Sequence, residues 1–255
     1  MVEYLGTNHH WTVVDTPELV EALDDAVDAR GLPGMSDVDA SLLIFCREIK
    51  KYGTVALSGE CADEIFGGYP WFHRDAMLQS TTFPWTMDIS FRKSLLHPEF
   101  AASMQMEKCI ARAYRTTLSE VDILPEESPL DTKKRQIAYL NIRWFMQRLL
   151  DRMDRTSMQH GLEARVPFAD YRVIDYVFNV PWSIKAKDGV PKSLLRACAA
   201  KYLPDTIMNR PKRYLSRESL DTEMVRFDAW QAFYSEQPWV EERIEKLRAD
   251  LYAIS

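Results

Sequence analysis

The densest chemistry in this 255-residue chain lies between Ser58 and Tyr69, SGECADEIFGGY. Three of the nine glycines, Gly59, Gly67 and Gly68, fall within it. Glycine lets backbone approach a ligand closely or take positive φ. Ser58 and Gly59 follow a predicted strand and precede a predicted helix, the place where free N–H groups hold a phosphate. Glu60, Asp63 and Glu64 are spaced i, i+3 and i+4, which puts them on one face of a helix. Two readings stand for these acids. They complement the dipole of a first helical turn, worth about 0.3–1 kcal/mol each. Alternatively, Asp63 helps hold magnesium against a polyphosphate, because that ion keeps several waters and needs only one or two carboxylates. The flanking glycines favour the second.

Other polar residues are less specific. Lys192 follows Pro191 at the start of a predicted helix, where a cation gains nothing from the dipole. Arg196, one turn on, is a weaker candidate for phosphate contact. Asp154, Arg155, Glu163, Arg165 and Asp170 surround Met158, Val166, Pro167 and Phe168. Ion pairs holding a turn against the core explain that block best, while Arg155 and Arg165 framing a substrate pocket is the alternative. His9 and His10 would point to opposite faces of a strand and make a poor metal pair. Trp71, Trp144 and Trp182 read as core or edge packing.

The elements that must position these residues follow from capping and periodicity. His9–Val14 reads as a short strand, then Thr16 as an N-cap with Pro17 behind it and a helix to about Arg30. Gly31, Pro33 and Gly34 end it. Ser36 or Asp37 caps a second helix with Leu42, Leu43, Phe45, Cys46 and Ile49 on its apolar side, closed by Gly53, and Thr54–Leu57 is a strand. Strand, helix, helix, strand and a glycine turn into another helix is the order of a parallel sheet covered by helices. Beyond Tyr69 the chain reads as a helical subdomain: Pro98–Leu118, Leu130 to about Leu150, Asp170–Asn179, Pro191–Tyr202, and two amphipathic stretches after Ser216. The acidic linker LPEESP separates two of the long helices.

Composition excludes several classes. Thirty-two Lys and Arg against 38 Asp and Glu give a net charge of −6, without the basic excess of a nucleic-acid scaffold. Hydrophobic residues at 46% and charged residues at 27% are those of a folded domain. Cys46, Cys61, Cys109 and Cys198 form no Cys-x-x-Cys pair and fit a reducing cytoplasm. No apolar run approaches the roughly 20 residues that span a bilayer, so neither a membrane nor a nucleic acid is expected as partner.

SGECADEIFGGY resembles the Ser-Gly-Glu-Gly-x-Asp-Glu-x-Phe-Gly-Gly-Tyr segment of glutamine-dependent asparagine synthetases. Asp154–Asp170, DRTSMQHGLEARVPFAD, is similar to that family's Arg-x-Ser-Met…Glu-x-Arg-x-Pro-Phe-x-Asp stretch. KSLLR at Lys192–Arg196 and RPK at Arg210–Lys212 are similar to its Lys-x-x-Leu-Arg and Arg-Pro-Lys. The resemblance covers most of residues 1–215, a partial synthetase domain with its small sheet ending near residue 69, and leaves 216–255 as a helical tail. It implies a helix-rich α/β fold, part of a doubly wound parallel-sheet nucleotide alpha-hydrolase-like (ATP pyrophosphatase) architecture with a C-terminal helical subdomain. The implied reaction adenylates the side-chain carboxylate of aspartate with ATP, releasing pyrophosphate, and ammonia then displaces AMP. By the same resemblance Ser58 and Gly59 contact ATP, Asp63 binds magnesium-pyrophosphate, and Lys192 reaches the phosphates and offsets charge as pyrophosphate departs, with Arg196 a weaker candidate for the same phosphates. Glu60 sits beside the acyl-adenylate as proton acceptor. A homodimer in the cytoplasm is expected.

Three departures qualify the resemblance. The family's glutaminase domain, which opens on a cysteine nucleophile and delivers ammonia, has no counterpart here, and neither has its Ser-Gly-Gly-x-Asp-Ser pyrophosphate loop. The expectation is a C-terminal piece of a synthetase, inactive alone. Cys61 stands where the family has glycine, which is costly if the backbone there needs positive φ. A ring-forming ATP ligase and a non-catalytic assembly module are the competing functions.

Overall fold

The computed structural model describes residues 1–210 apart from 33, 35, 87, 88 and 95. The expected tail over 216–255 lies outside the described residues. The chain divides into two units, Met1–Lys201 and Tyr202–Ser255. In the second, the described element is a single helical turn, Asp205–Met208.

The first unit opens on α1 (Val2–Leu5), closed by Gly6 at φ 62°. Residues 7–15 carry neither helix nor strand, so the strand expected over His9–Val14 is absent among the described residues. Trp11 and Val13 there are exposed, and an extended segment without a neighbouring strand has nothing to hold it in a ladder. Asp15, rather than Thr16, caps the next helix, accepting from the Glu18 N–H at 3.1 Å. That helix breaks at Ala22 into α2 (Thr16–Glu21) and α3 (Leu23–Arg30), and Gly31 at φ 76° ends it. In α4 (Ser36–Lys50), Leu43, Ile44 and Cys46 turn inward, while Phe45, expected on the apolar side, is exposed.

β1 (Val55–Leu57) pairs in parallel with β2 (Glu163–Arg165), with Val55, Ala56 and Leu57 opposite Glu163, Ala164 and Arg165. Among the described residues this two-stranded sheet is the whole of the sheet, so its second strand comes from the charged block and not from the N-terminal segment. Glu163-Ala164-Arg165 carries no apolar alternation, the signal on which strand reading rests, and was legible only as ion pairs.

Between the two strands runs a helical excursion. α5 (Ala62–Phe66) follows β1, then a 3₁₀ turn at Pro70–Phe72, α6 (Asp75–Leu78), α7 (Ser90–Ser94) and α8 (Pro98–Ser103). The helix expected over Pro98–Leu118 is interrupted at Gln105, φ 46°, before α9 (Met106–Ser119). α10 (Pro129–Leu140), capped by Ser128, continues through a π segment, Asn141–Met146, into α11 (Gln147–Met158). After β2 come a 3₁₀ turn at Pro167–Ala169, α12 (Tyr171–Asn179), α13 (Trp182–Lys185), a 3₁₀ turn at Lys187–Gly189 and α14 (Ser193–Ala199).

Helices α3, α4 and α11 pack on one another, and α11 leads directly into β2. One apolar cluster joins Cys61, Ala62, Ile65 and Phe66 of the post-β1 segment to Met146 and Val177, with Val166, Phe168, Leu194 and Leu195 against it. A second gathers Trp71, Phe72, Leu78, Ile137, Ala138 and Trp182. Burying the inner side of α5 in the first cluster fixes which way its polar residues can point.

Candidate active site

The chain leaves β1 with its ladder extended by one bond, Ser58 N–H to the Arg165 carbonyl at 2.8 Å. The Ser58 hydroxyl accepts from the Glu60 N–H at 3.3 Å, closing a tight turn. Gly59 is exposed, and among the described residues a Cβ built on it would meet nothing within 4 Å. Cys61 then takes φ 69°, ψ −3° as the residue before α5. A side chain in this left-handed region costs about 1–2 kcal/mol, so the strain anticipated for a cysteine in place of glycine is present.

Because α5 starts only at Ala62, Glu60 is not on the helix. The single acidic face expected for Glu60, Asp63 and Glu64 is therefore replaced by three separate arrangements. Asp63 Oδ1 lies 2.8 Å from Lys192 Nζ. Glu64 is 1% exposed and accepts from the Tyr69 hydroxyl. Glu60 Oε1 lies 3.0 Å from Arg152 Nη2. Burial raises the Glu64 carboxyl, against the lowering effect of the Tyr69 bond and with further raising by Asp63 and Glu60. Burial likewise raises the Tyr69 hydroxyl, and Glu64 adds to the shift. Desolvation, then the charge of Glu60, pushes the Cys46 thiol up to about 11. Cys61 is pushed up to about 12 by burial and then by Glu64 and Glu60.

The glycine pair at the far end of α5 has steric reasons of its own. Gly67, at φ 69°, would place a Cβ 2.5 Å from the Trp182 ring, and its carbonyl accepts from His73 Nε2 at 2.7 Å. At Gly68 a Cβ would fall 1.7 Å from Asp63 Oδ1 and 2.9 Å from Lys192 Cε. The Asp63–Lys192 pair thus rests on the bare backbone of Gly68.

Lys192 reaches that position from a strained start. It takes φ 57° as the residue before α14, which begins at Ser193, later than the Pro191 expected. The Ser193 hydroxyl donates to the Ile184 carbonyl and accepts from the Lys187 N–H, both at 2.7 Å. Leu194 and Leu195 meanwhile pack on the cluster that buries α5. Arg196 Nε donates to the Pro191 carbonyl at 3.2 Å, bracing the loop that carries Lys192.

The charged block pairs largely at the surface. Arg155 pairs with Asp151 at 2.7 Å, Arg165 with Glu163 at 2.8 Å, and Asp170 caps α12 while pairing with Arg172 at 2.7 Å. Arg152, on α11 three residues before Arg155, is the residue that sequence reading missed. Its only signal was a shared helical face with Arg155. Trp71 and Trp182 are buried as expected, while Trp144 is partly exposed and donates to the Thr117 hydroxyl at 2.9 Å.

For a divalent cation the donor set is sparse. Among the described residues no group of three His, Cys, Asp or Glu side chains converges. Asp63, one carboxylate already beside a cation, fits an ion that arrives with a polyphosphate rather than a resident ion in a protein cage.

The asparagine synthase family model matches residues 1–252. The chain is 48% identical over 212 residues to asparagine synthetase (glutamine-hydrolyzing) 3 of Bacillus subtilis strain 168, covering 83% of this chain and 34% of that protein. Identity to asparagine synthetase (glutamine-hydrolyzing) 1 of the same organism is 29% over 231 residues, 78% of this chain and 35% of that one. To the Rattus norvegicus asparagine synthetase (glutamine-hydrolyzing) it is 27% over 225 residues, 85% and 30% of the two chains. The chain thus spans about a third of the length of these curated relatives.

Proposed function

Since the chain belongs to the asparagine synthase family, we propose that it supplies the synthetase part of an ATP-dependent carbon–nitrogen ligase that converts aspartate to asparagine. A carboxylate has no leaving group at neutral pH, and adenylation supplies one. An oxygen of the aspartate side chain attacks the α-phosphorus, the bond to the bridging oxygen breaks, and pyrophosphate leaves. Ammonia then attacks the acyl carbon. The carbon–oxygen bond to AMP breaks with its electron pair going to AMP, and the excess proton on nitrogen passes to a base.

In this reading Lys192 exchanges its contact with Asp63 for the phosphates, a preorganised cation where negative charge develops. Asp63 would hold the Mg²⁺ that accompanies the polyphosphate and offsets its charge. Gly59, with open space at its Cα, admits the nucleotide beside the Ser58 turn, and Arg196 braces Lys192 from behind. Glu60 accepts the proton from the ammonia adduct, which is acidic enough for a carboxylate to serve. The doubly wound nucleotide-binding architecture and a cytoplasmic setting belong to the same proposal. All four cysteines are free, and no helix among the described residues is long and apolar enough to cross a membrane.

The observation that carries the proposal is the 2.8 Å contact between Asp63 and Lys192, because the two come from motif blocks far apart in sequence. The test is formation of AMP, pyrophosphate and asparagine from ATP, aspartate and ammonia by the protein that carries this chain. Asp63→Asn should slow adenylation roughly a hundredfold, the scale of removing one preorganised charge-stabilising group. Ordinary turnover in that variant removes Asp63 from the site, and absence of aspartate-dependent pyrophosphate release from the parent protein overturns the proposal.

A further inference from the structure

Arg152 projects from α11 to the turn after β1, where Nη2 donates to Glu60 Oε1 at 3.0 Å. The two side chains are 17% and 21% exposed, so water screens the contact only weakly. A guanidinium and a carboxylate can form two parallel bonds, yet this pair makes one. Glu60 Oε2 and Arg152 Nε are both shielded from solvent and, among the described residues, have no hydrogen-bond partner. The pair is therefore closed by one bond, which fixes the carboxylate through Oε1.

We propose that Arg152 is a positioning residue that holds the Glu60 carboxylate in place to accept the proton during amide formation. This rests on the ligase reading given above. Glu60 lies in a turn rather than on α5, and its backbone is held by the 3.3 Å bond to Ser58 Oγ. Several side-chain rotamers are open to a glutamate in such a place, so a tether on the carboxylate decides where it sits. Asp63 and Glu64 add negative charge nearby, and Lys192 is engaged by Asp63. Arginine suits the task because it stays protonated and does not compete for the proton.

The test separates the two half-reactions in the protein that carries this chain. Aspartate-dependent exchange of labelled pyrophosphate into ATP reads adenylation, and asparagine formed per AMP reads amide formation. Arg152→Met should lower amide formation by about 10–100-fold, within the range of a misplaced general base, while exchange and KM for ATP stay within about threefold. Arg152→Lys, which keeps the charge without the fork, should recover part of the loss. In a Glu60→Gln background Arg152→Met should add less than about twofold, since groups acting as a unit are not additive. Retained exchange also shows that each variant is folded.

Unchanged amide formation in Arg152→Met overturns the tether and leaves the ligase reading standing. Equal loss of both half-reactions in Arg152→Lys, or full additivity with Glu60→Gln, does the same. A parent protein that performs neither half-reaction sinks both proposals together.

Discussion

Lys192 Nζ meets Asp63 Oδ1 at 2.8 Å directly over Gly68, whose missing side chain leaves the space that the pair occupies. The contact joins the first turn of α5 to the residue before α14, and both partners are about one-quarter exposed. In the proposed reading, that partial opening is where a phosphate displaces the carboxylate. A surface pair of this kind contributes about 0–1 kcal/mol to stability, so its arrangement matters more for what it presents than for what it holds.

Gly68→Ala should therefore damage the site more than the fold. Its Cβ would fall 1.7 Å from Asp63 Oδ1, so the pair must part, at a cost of about 1–3 kcal/mol for overpacking. Thermal melting should fall accordingly, and pyrophosphate release should drop at least tenfold. Gly59→Ala is the control. With nothing within 4 Å of the new methyl, stability should change by less than about 0.5 kcal/mol and any defect should appear in KM for ATP. Equal behaviour of the two variants in both measurements would refute the steric role of Gly68.

Cys61 offers a test of backbone strain. It is 1% exposed with φ 69°, so its sulfur contributes packing while its Cβ is a burden. Cys61→Gly and Cys61→Ala both lose the sulfur, but only glycine relieves the strain. The glycine variant should be the more stable of the two by about 1 kcal/mol, read from urea midpoints. The reverse order would show that the surrounding core, rather than the dihedral, governs this position.

How much of this was legible beforehand depended on the kind of signal. SGECADEIFGGY was read as a glycine-bearing turn from a strand into a helix, and that turn is there, because glycine placement is a local property. Lys192 was singled out by type and place, but its partner was not, because contacts across the chain leave no local trace. The three acids illustrate the limit: a helix starting two residues later than assumed sends Glu60, Asp63 and Glu64 to Arg152, Lys192 and Tyr69. β2 was hidden because three residues with charged ends have no period to read. The strand assigned to His9–Val14 failed for the opposite reason, a local pattern with no neighbour to pair with.

Thiol chemistry should divide the four cysteines in two. Burial raises Cys46 to about 11 and Cys61 to about 12, with the charge of Glu60 adding to each, so at pH 8 neither carries appreciable thiolate. Cys109 and Cys198 are exposed. Iodoacetamide at pH 8 should label Cys109 and Cys198 and spare Cys46 and Cys61 until the protein is denatured, as read by peptide mass spectrometry. Labelling of Cys61 in the native protein at the rate of Cys109 would contradict the burial of the turn.

The buried Glu64 carboxyl makes stability depend on pH in a direction that Tyr69 controls. Burial raises Glu64 in the folded state, so the unfolded chain gives up its proton first as pH rises. Stability from this group is full below the ordinary carboxylate range and falls as pH climbs through it, until the folded carboxyl ionises in turn. The Tyr69 hydroxyl bond favours the ionised form and limits the fall. Tyr69→Phe removes that donor, leaves the carboxyl buried without it, and should cost about 1–3 kcal/mol at neutral pH. The cost should shrink as pH falls below the ordinary carboxylate range, where Glu64 is protonated in both states. Urea midpoints of the parent and the variant should therefore converge at low pH and separate as pH rises to 8. Two curves that stay parallel across that range would mean that the Tyr69 bond does not alter the protonation of Glu64 in the folded state.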